Sequence, residues 1–284
     1  MLPEGHWGGT RLAPRVKGAY KWRAMGGQRP LHLPDRLMTA SNAANSIDAA
    51  EIARFDAIGE DWWNPEGSMR ALHRINPVRI AWLRDLIAGH FGLDAQAPRP
   101  LAGLTILDIG CGAGLLAEPL SRMGASVTGL DPAPRNIEIA RRHADETGAD
   151  LRYRAGTIEE LAFEPARFDV VLAMEVVEHV NAMPSFVAEA CSLVRPDGLF
   201  AASTLNRTLK SFALAIIGAE YVLGWLPRGT HHWEQFVTPE ELRGALRAAG
   251  FKAAHRSGMI YDPLRGEWRL SRDMSVNYML GARR

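Results

Sequence analysis

At 284 residues the chain is long enough for one or two domains, and 47% hydrophobic content suffices for a globular core. A formal net charge of +1 removes any global electrostatic argument for nucleic acid, which is not expected as a partner. Two cysteines, Cys111 and Cys191, give neither a zinc spacing nor a disulfide framework, which fits a reducing compartment, and no apolar run reaches transmembrane length.

Residues 1–37 carry seven basic side chains, from Arg11 to Arg36, against Glu4 and Asp35, with frequent Gly and Pro and no hydrophobic periodicity. That composition predicts a disordered basic leader. Met38 offers an alternative start, which would make the leader a gene-model extension and 38–284 one domain. Helices are then expected at Ile47–Ala57 and Pro77–Phe91, where apolar residues recur at helical spacing. Strands are expected at Thr105–Ile109, Ser126–Leu130, Leu151–Arg154, Phe168–Met174 and Leu199–Thr204. Helices separate them at Leu115–Met123, Arg135–Glu146 and Pro184–Val194. A last helix opens at Thr238-Pro239-Glu240-Glu241, where Thr238 and Glu241 suit a capping box. The alternation predicts an α/β fold with a doubly wound, mostly parallel sheet, N-terminal helices and a helical insertion.

Leu107-Asp108-Ile109-Gly110-Cys111-Gly112-Ala113-Gly114 reads as a buried strand turning into a helix through three glycines, and Val127 to Asp131 as a second strand ending in an acid. This is the pattern of a nucleoside-cofactor site. Gly110, Gly112 and Gly114 let the backbone approach a ligand, and Asp131 can accept from two ribose hydroxyls. The glycine spacing is G-x-G-x-G, with Leu115 where a dinucleotide fingerprint needs glycine. It fits S-adenosylmethionine better than NAD, and the chain resembles a Rossmann-like class I methyltransferase.

Ligands of such sheets sit at the carboxyl ends of the strands. The strand ending at Met174 runs into Glu175-Val176-Val177-Glu178-His179-Val180. If the chain turns helical there, Glu175, Glu178 and His179 share one face, an oxygen and nitrogen set suited to Mg²⁺ or Mn²⁺. Spacing fits equally well a Glu178–His179 pair that merely holds the loop. A phenolic methyl acceptor, with its pKa near ~10, needs either a cation or a base to remove its proton, so His179 is a catalytic candidate. His231, beside His232, is a second and weaker one.

Further segments are similar to the ubiquinone biosynthesis O-methyltransferase family: Phe55 with Trp62-Trp63-Asn64-Pro65-Glu66-Gly67, Leu72 to Arg79, Glu175 to Val180, Ser203 to Arg207, Gly218 to Tyr221, Gly229-Thr230-His231 and Val276 to Leu280. The resemblance runs from about Ile47 to Gly281. It implies methylation of a ring oxygen on a polyprenylated catechol or demethylubiquinol, with S-adenosylmethionine as donor. It implies cofactor contacts from Arg79, Gly110, Asp131 and Met174, and a divalent metal held by Glu175, Glu178 and His179. Arg79 can pair with a methionine carboxylate, and Met174 can wall the adenine.

Residues 207–228 are strongly apolar between Phe212 and Leu226 and flanked by Arg207, Lys210 and Arg228. They suit a lid over an isoprenoid tail or a face lying on an anionic membrane surface. The protein is therefore expected in the cytoplasm, peripheral on the inner face of the membrane, where other ubiquinone-pathway enzymes are candidate partners. The alternatives are a methyltransferase for another small phenol or acid, and a catalytically silent lipid or nucleotide binder.

Overall fold

A computed structural model describes residues 49–213, 233–262 and 264–284. The expected leader, most of the apolar stretch after Phe212, and His231 with His232 lie outside the described residues. The chain enters through α1 (Ala49–Asp56), a 3-10 helix (Gly59–Trp63) and the long α2 (Arg70–Phe91), which ends at Gly92 in the left-handed region. Helices then alternate with strands: β1 (Thr105–Ile109), α3 (Ala117–Arg122), β2 (Ser126–Asp131), α4 (Pro134–Thr147), β3 (Arg152–Ala155), α5 (Ile158–Ala162), β4 (Phe168–Met174), α6 (Met183–Ser192) and β5 (Val194–Leu205). After the short α7 (Leu209–Ser211) come α8 (Pro239–Ala248), β6 (Lys252–Asp262), β7 (Glu267–Ser271) and β8 (Asn277–Arg283).

The eight strands form one sheet in the order β3-β2-β1-β4-β5-β8-β6-β7. Its first five strands are parallel, and β8, β6 and β7 continue it antiparallel. From β1 the chain winds outward to β2 and β3, then returns and winds the other way through β4 and β5. The direction therefore reverses between β1 and β4, where such folds open a crevice at the strand ends. Both faces of the sheet are covered, so β4 is buried almost throughout rather than alternating. On one face Leu107, Ile109, Val171 and Ala173 pack with Phe186 of α6 and Leu242 and Leu246 of α8. On the other, Ile106, Val170 and Leu172 pack with Leu83 and Ile87 of α2, Leu120 of α3 and Ile137 of α4.

Local chemistry sets the boundaries. Thr238 caps α8 and forms the expected capping box with Glu241, and Thr157 with Glu160 does the same for α5. The first five strands stand where the sequence predicts them, within a few residues. Several features differ, among them the unexpected α5 and the buried strand β8, which pairs with β5 and β6. Helix α2 begins at Arg70, with Pro77 inside it rather than at its start. The C-terminal strands β6 and β7 lie at the sheet edge with much of their length exposed, so they lack the apolar run that marks a core strand.

Phe186 is fully buried between sheet and helices. Phe186→Ala is expected to lower the free energy of unfolding by about 3–5 kcal/mol in denaturant titration. A loss below about 1 kcal/mol would show that α6 does not close this face.

Candidate active site

The glycine loop leaves β1 at the point where the sheet reverses direction. Gly110 and Cys111 donate their N–H groups to the Leu130 carbonyl of β2, at 2.8 and 3.2 Å. Gly110, Gly112 and Gly114 all have positive φ. At Gly110 a Cβ would stand 2.6 Å from the Val176 Cγ2 methyl, and at Gly112 it would meet the Trp62 ring, so the loop's residue type is dictated twice over.

Asp131, at the end of β2, is buried and accepts three hydrogen bonds from the protein. The Gly112 N–H reaches its Oδ2 at 2.9 Å; the Ala133 N–H at 2.9 Å and the Asn136 amide at 3.2 Å reach its Oδ1. Burial pushes its carboxyl upward, and these donors pull the other way. A carboxylate offers roughly four acceptor positions, so capacity remains for a further donor. Beside it lies a shallow depression lined by Ile109, Gly110, Leu130, Pro132, Gly156, Thr157, Ile158, Val176 and Phe186. An apolar slot with a buried acid at its rim suits a flat base attached to a sugar.

The N-terminal segment closes on this loop. Trp62, in the 3-10 helix, donates its indole N–H to Asn136 Oδ1 at 2.8 Å, so Asn136 links Asp131 to the tryptophan. Trp63 donates to the Ala113 carbonyl at 3.1 Å and stacks on His143 with ring centroids 3.5 Å apart. His143 in turn lies 2.7 Å from the fully buried Glu118, which also pairs with Arg122.

Arg79, of α2, is buried and directs one guanidinium nitrogen to Glu175 Oε1 at 2.6 Å, and the Ser203 hydroxyl donates to the same oxygen at 2.7 Å. Glu175 follows β4 and has φ +57°, a left-handed conformation unusual for a side chain of its size. The chain consequently leaves β4 in a turn rather than a helix. Glu178 is fully buried beside Glu175, and neither of its carboxyl oxygens makes a close hydrogen bond. Burial first, and the neighbouring Glu175 second, push its carboxyl well above the usual range. His179 Nδ1 lies 2.9 Å from Glu51 Oε2 of α1, and Phe55 meets the imidazole edge-on at 5.2 Å.

Glu175, Glu178 and His179, expected to hold a divalent metal, stand in separate contacts here. Among the described residues no three His, Cys, Asp or Glu side chains gather as a cation site. The helical spacing considered after β4 is not met, because the chain turns at Glu175. Glu175 is committed to Arg79 and Ser203, and His179 to Glu51.

Met174, expected to wall the adenine, is buried at the end of β4. It packs with Leu172 on the α2 side of the sheet, whereas Val176 lines the pocket. Sequence reading gave no role to Asp108, Asn136 or Glu51. Asp108, inside β1, is fully buried, and its Oδ2 has no hydrogen-bond partner. Desolvation, and then the charge of Asp131, push its carboxyl up to about 7. The one signal for it was an acid in an otherwise apolar strand.

A family profile described as a methyltransferase domain matches residues 83–256. The ubiquinone biosynthesis O-methyltransferase of Methylobacterium nodulans is 59% identical over 239 residues, covering 84% of this chain and 96% of that protein. The enzyme of the same name from Methylocella silvestris is 60% identical over 243 residues, covering 84% and 95%. Among solved structures, magnesium protoporphyrin IX methyltransferase from Synechocystis PCC 6803 with bound SAH superposes with a TM-score of 0.55 at 22% identity, covering 82% of this chain and 99% of that one. The last likeness is one of fold.

Asp108 makes the pH dependence of stability a test of the site's burial. Its carboxyl is raised in the folded state, so between about pH 4 and pH 7 the folded protein holds a proton that the unfolded chain has released. Stability should therefore fall as pH rises through that window and level off above it. Asp108→Asn should flatten the fall, raising stability at pH 8 by up to about 4 kcal/mol. An unchanged pH profile in the variant would show that Asp108 is solvated.

Proposed function

The chain belongs to the ubiquinone biosynthesis O-methyltransferase family, and from that premise we propose how its own residues carry out S-adenosylmethionine-dependent O-methylation of a quinol-type substrate. Bound S-adenosylmethionine supplies an electrophilic methyl group on a sulfonium sulfur. Asp131 accepts from the ribose hydroxyls, and its place at the end of β2, held by the Gly112 and Ala133 amides, is the observation that carries the reading. Gly110, Gly112 and Gly114 keep side chains out of the approach. Pro132, Ile158, Val176 and Phe186, which line the pocket, flank the adenine.

Arg79 is the cation for the methionine carboxylate. Its existing partner supports this: Glu175 already seats a carboxylate on the guanidinium. In the free protein Glu175 holds that place, and binding exchanges one carboxylate for another. His179, in the turn after the pocket-lining Val176, takes the proton from the acceptor hydroxyl.

The acceptor proposed is a polyprenylated catechol or demethylubiquinol, and 38–284 is read as one catalytic domain. Exposed Leu209 and Phe212, at the entry to the apolar stretch, support a lid or membrane face over residues 207–228. Lys210 is paired with Asp273 at 2.6 Å and Arg207 with Glu241, so these flanking cations are already partly neutralised. No helix among the described residues is long and apolar enough to cross a membrane.

Incubation with methyl-labelled S-adenosylmethionine and a short-chain catechol should give a labelled methyl ether, whereas a silent binder would retain the cofactor without product. Asp131→Ala should weaken cofactor binding by about 1.5–3 kcal/mol in calorimetric titration while the protein stays folded. Unchanged affinity would overturn the assignment of the loop and its acid.

A further inference from the structure

Asn136, in the first turn of α4, is fully buried with both ends of its amide engaged. An indole nitrogen can only donate, so the Trp62 N–H at 2.8 Å identifies the end it meets as the oxygen. The NH₂ end therefore faces Asp131, reaching Oδ1 at 3.2 Å. Trp62 is itself held from two further sides: a Cβ on Gly112 would stand 2.5 Å from its ring, and His73 Nε2 lies 2.9 Å from its carbonyl oxygen. The carboxylate at the end of this chain of contacts is loaded unequally. Oδ1 takes the Ala133 N–H as well as Asn136, which uses both its lone pairs, whereas Oδ2 takes the Gly112 N–H alone among the described residues. The position left for a ligand donor is on Oδ2.

We propose that Asn136 is a positioning residue for cofactor binding: clamped between Trp62 and Asp131, it sets the carboxylate so that Oδ2 meets the ribose, and it makes ribose recognition depend on the seating of the N-terminal segment. The inference rests on the reading of Asp131 as the ribose acid. The Gly112 and Ala133 N–H groups hold one oxygen each, and the final torsion of an aspartate side chain is broad. Asn136 supplies a second hold on Oδ1, and its direction comes from Trp62 in another element. Its loss acts twice in the same direction. The carboxylate is freer to turn, and it loses a donor that favours its charged form against the burial that pushes the carboxyl upward. The neutral acid is the weaker acceptor for a hydroxyl. With Trp62 withdrawn the amide loses its fixed end, so the ribose is gripped fully only with the segment in place.

The alternative is that these hydrogen bonds only fasten the N-terminal segment over the glycine loop. A double-mutant cycle on the full chain separates the two, read as the affinity for S-adenosylhomocysteine in calorimetric titration. Asn136→Ala is expected to weaken binding about tenfold, the scale of one hydrogen bond to a charged group. Placed on Asp131→Ala, the same substitution should cost nothing more, because the carboxylate it positions is gone. Trp62→Phe keeps a ring over Gly112 and loses only the N–H. It should weaken binding about threefold, again only while Asp131 is present, and it decides the matter if Asn136→Ala does not fold. Unchanged affinity in these variants, or an equal loss with and without Asp131, would overturn the proposal. Full affinity in Asp131→Ala alone would overturn the ribose reading itself, a failure that the single variant shows separately.

Discussion

The buried carboxylate of Asp131 is the constraint on which the rest of the site depends. A buried carboxylate is costly unless its oxygens are satisfied, and here the donors come from three separate pieces of chain. The Gly112 N–H fixes the glycine loop, the Ala133 N–H fixes the start of α4, and Asn136 carries the connection to Trp62. The acid that would receive the ribose is thus also the post to which the loop, the helix and the N-terminal cap are tied. Asp108, buried one strand away without a partner for Oδ2, lies beneath the same loop, where burial and the charge of Asp131 favour its protonated form.

The N-terminal segment completes both ends of the site. Trp62 and Trp63 clamp the glycine loop, and one element earlier Glu51 and Phe55 frame His179. Cofactor end and acceptor end are therefore closed by one continuous piece of chain that precedes the first strand. Its attachment is polar and aromatic rather than deeply apolar, since no residue of α1 is fully buried and the 3-10 helix buries only Gly59 and Trp62. Such a segment opens locally at lower cost than the sheet, which suits a site that must admit and release a nucleoside.

Where sequence reading succeeded, the backbone itself dictates the residue. The glycines need positive φ and close approach, Asp131 ends a strand, and the capping box at Thr238 is local hydrogen bonding written in four residues. Where it failed, the deciding contact is distant or the backbone leaves regular geometry. Placing Glu175, Glu178 and His179 on one face assumed a helix that the left-handed Glu175 interrupts. Strand side chains alternate, so Ala173 faces α6 while Met174 faces α2. Glu51 reaches His179 from another element altogether, and nothing in local spacing announces it. Strands β6 and β7 stayed hidden because an exposed edge needs no apolar run.

The central claim, that Asp131 reads the ribose of the cofactor, is tested most directly on the unaltered protein by comparing S-adenosylhomocysteine with its 2′-deoxy and 3′-deoxy analogues in calorimetric titration. Loss of a hydrogen bond to a charged acceptor should weaken at least one analogue about tenfold or more. Equal affinity for all three ligands would contradict the account, because it would leave the buried carboxylate with no role beyond holding its own loop.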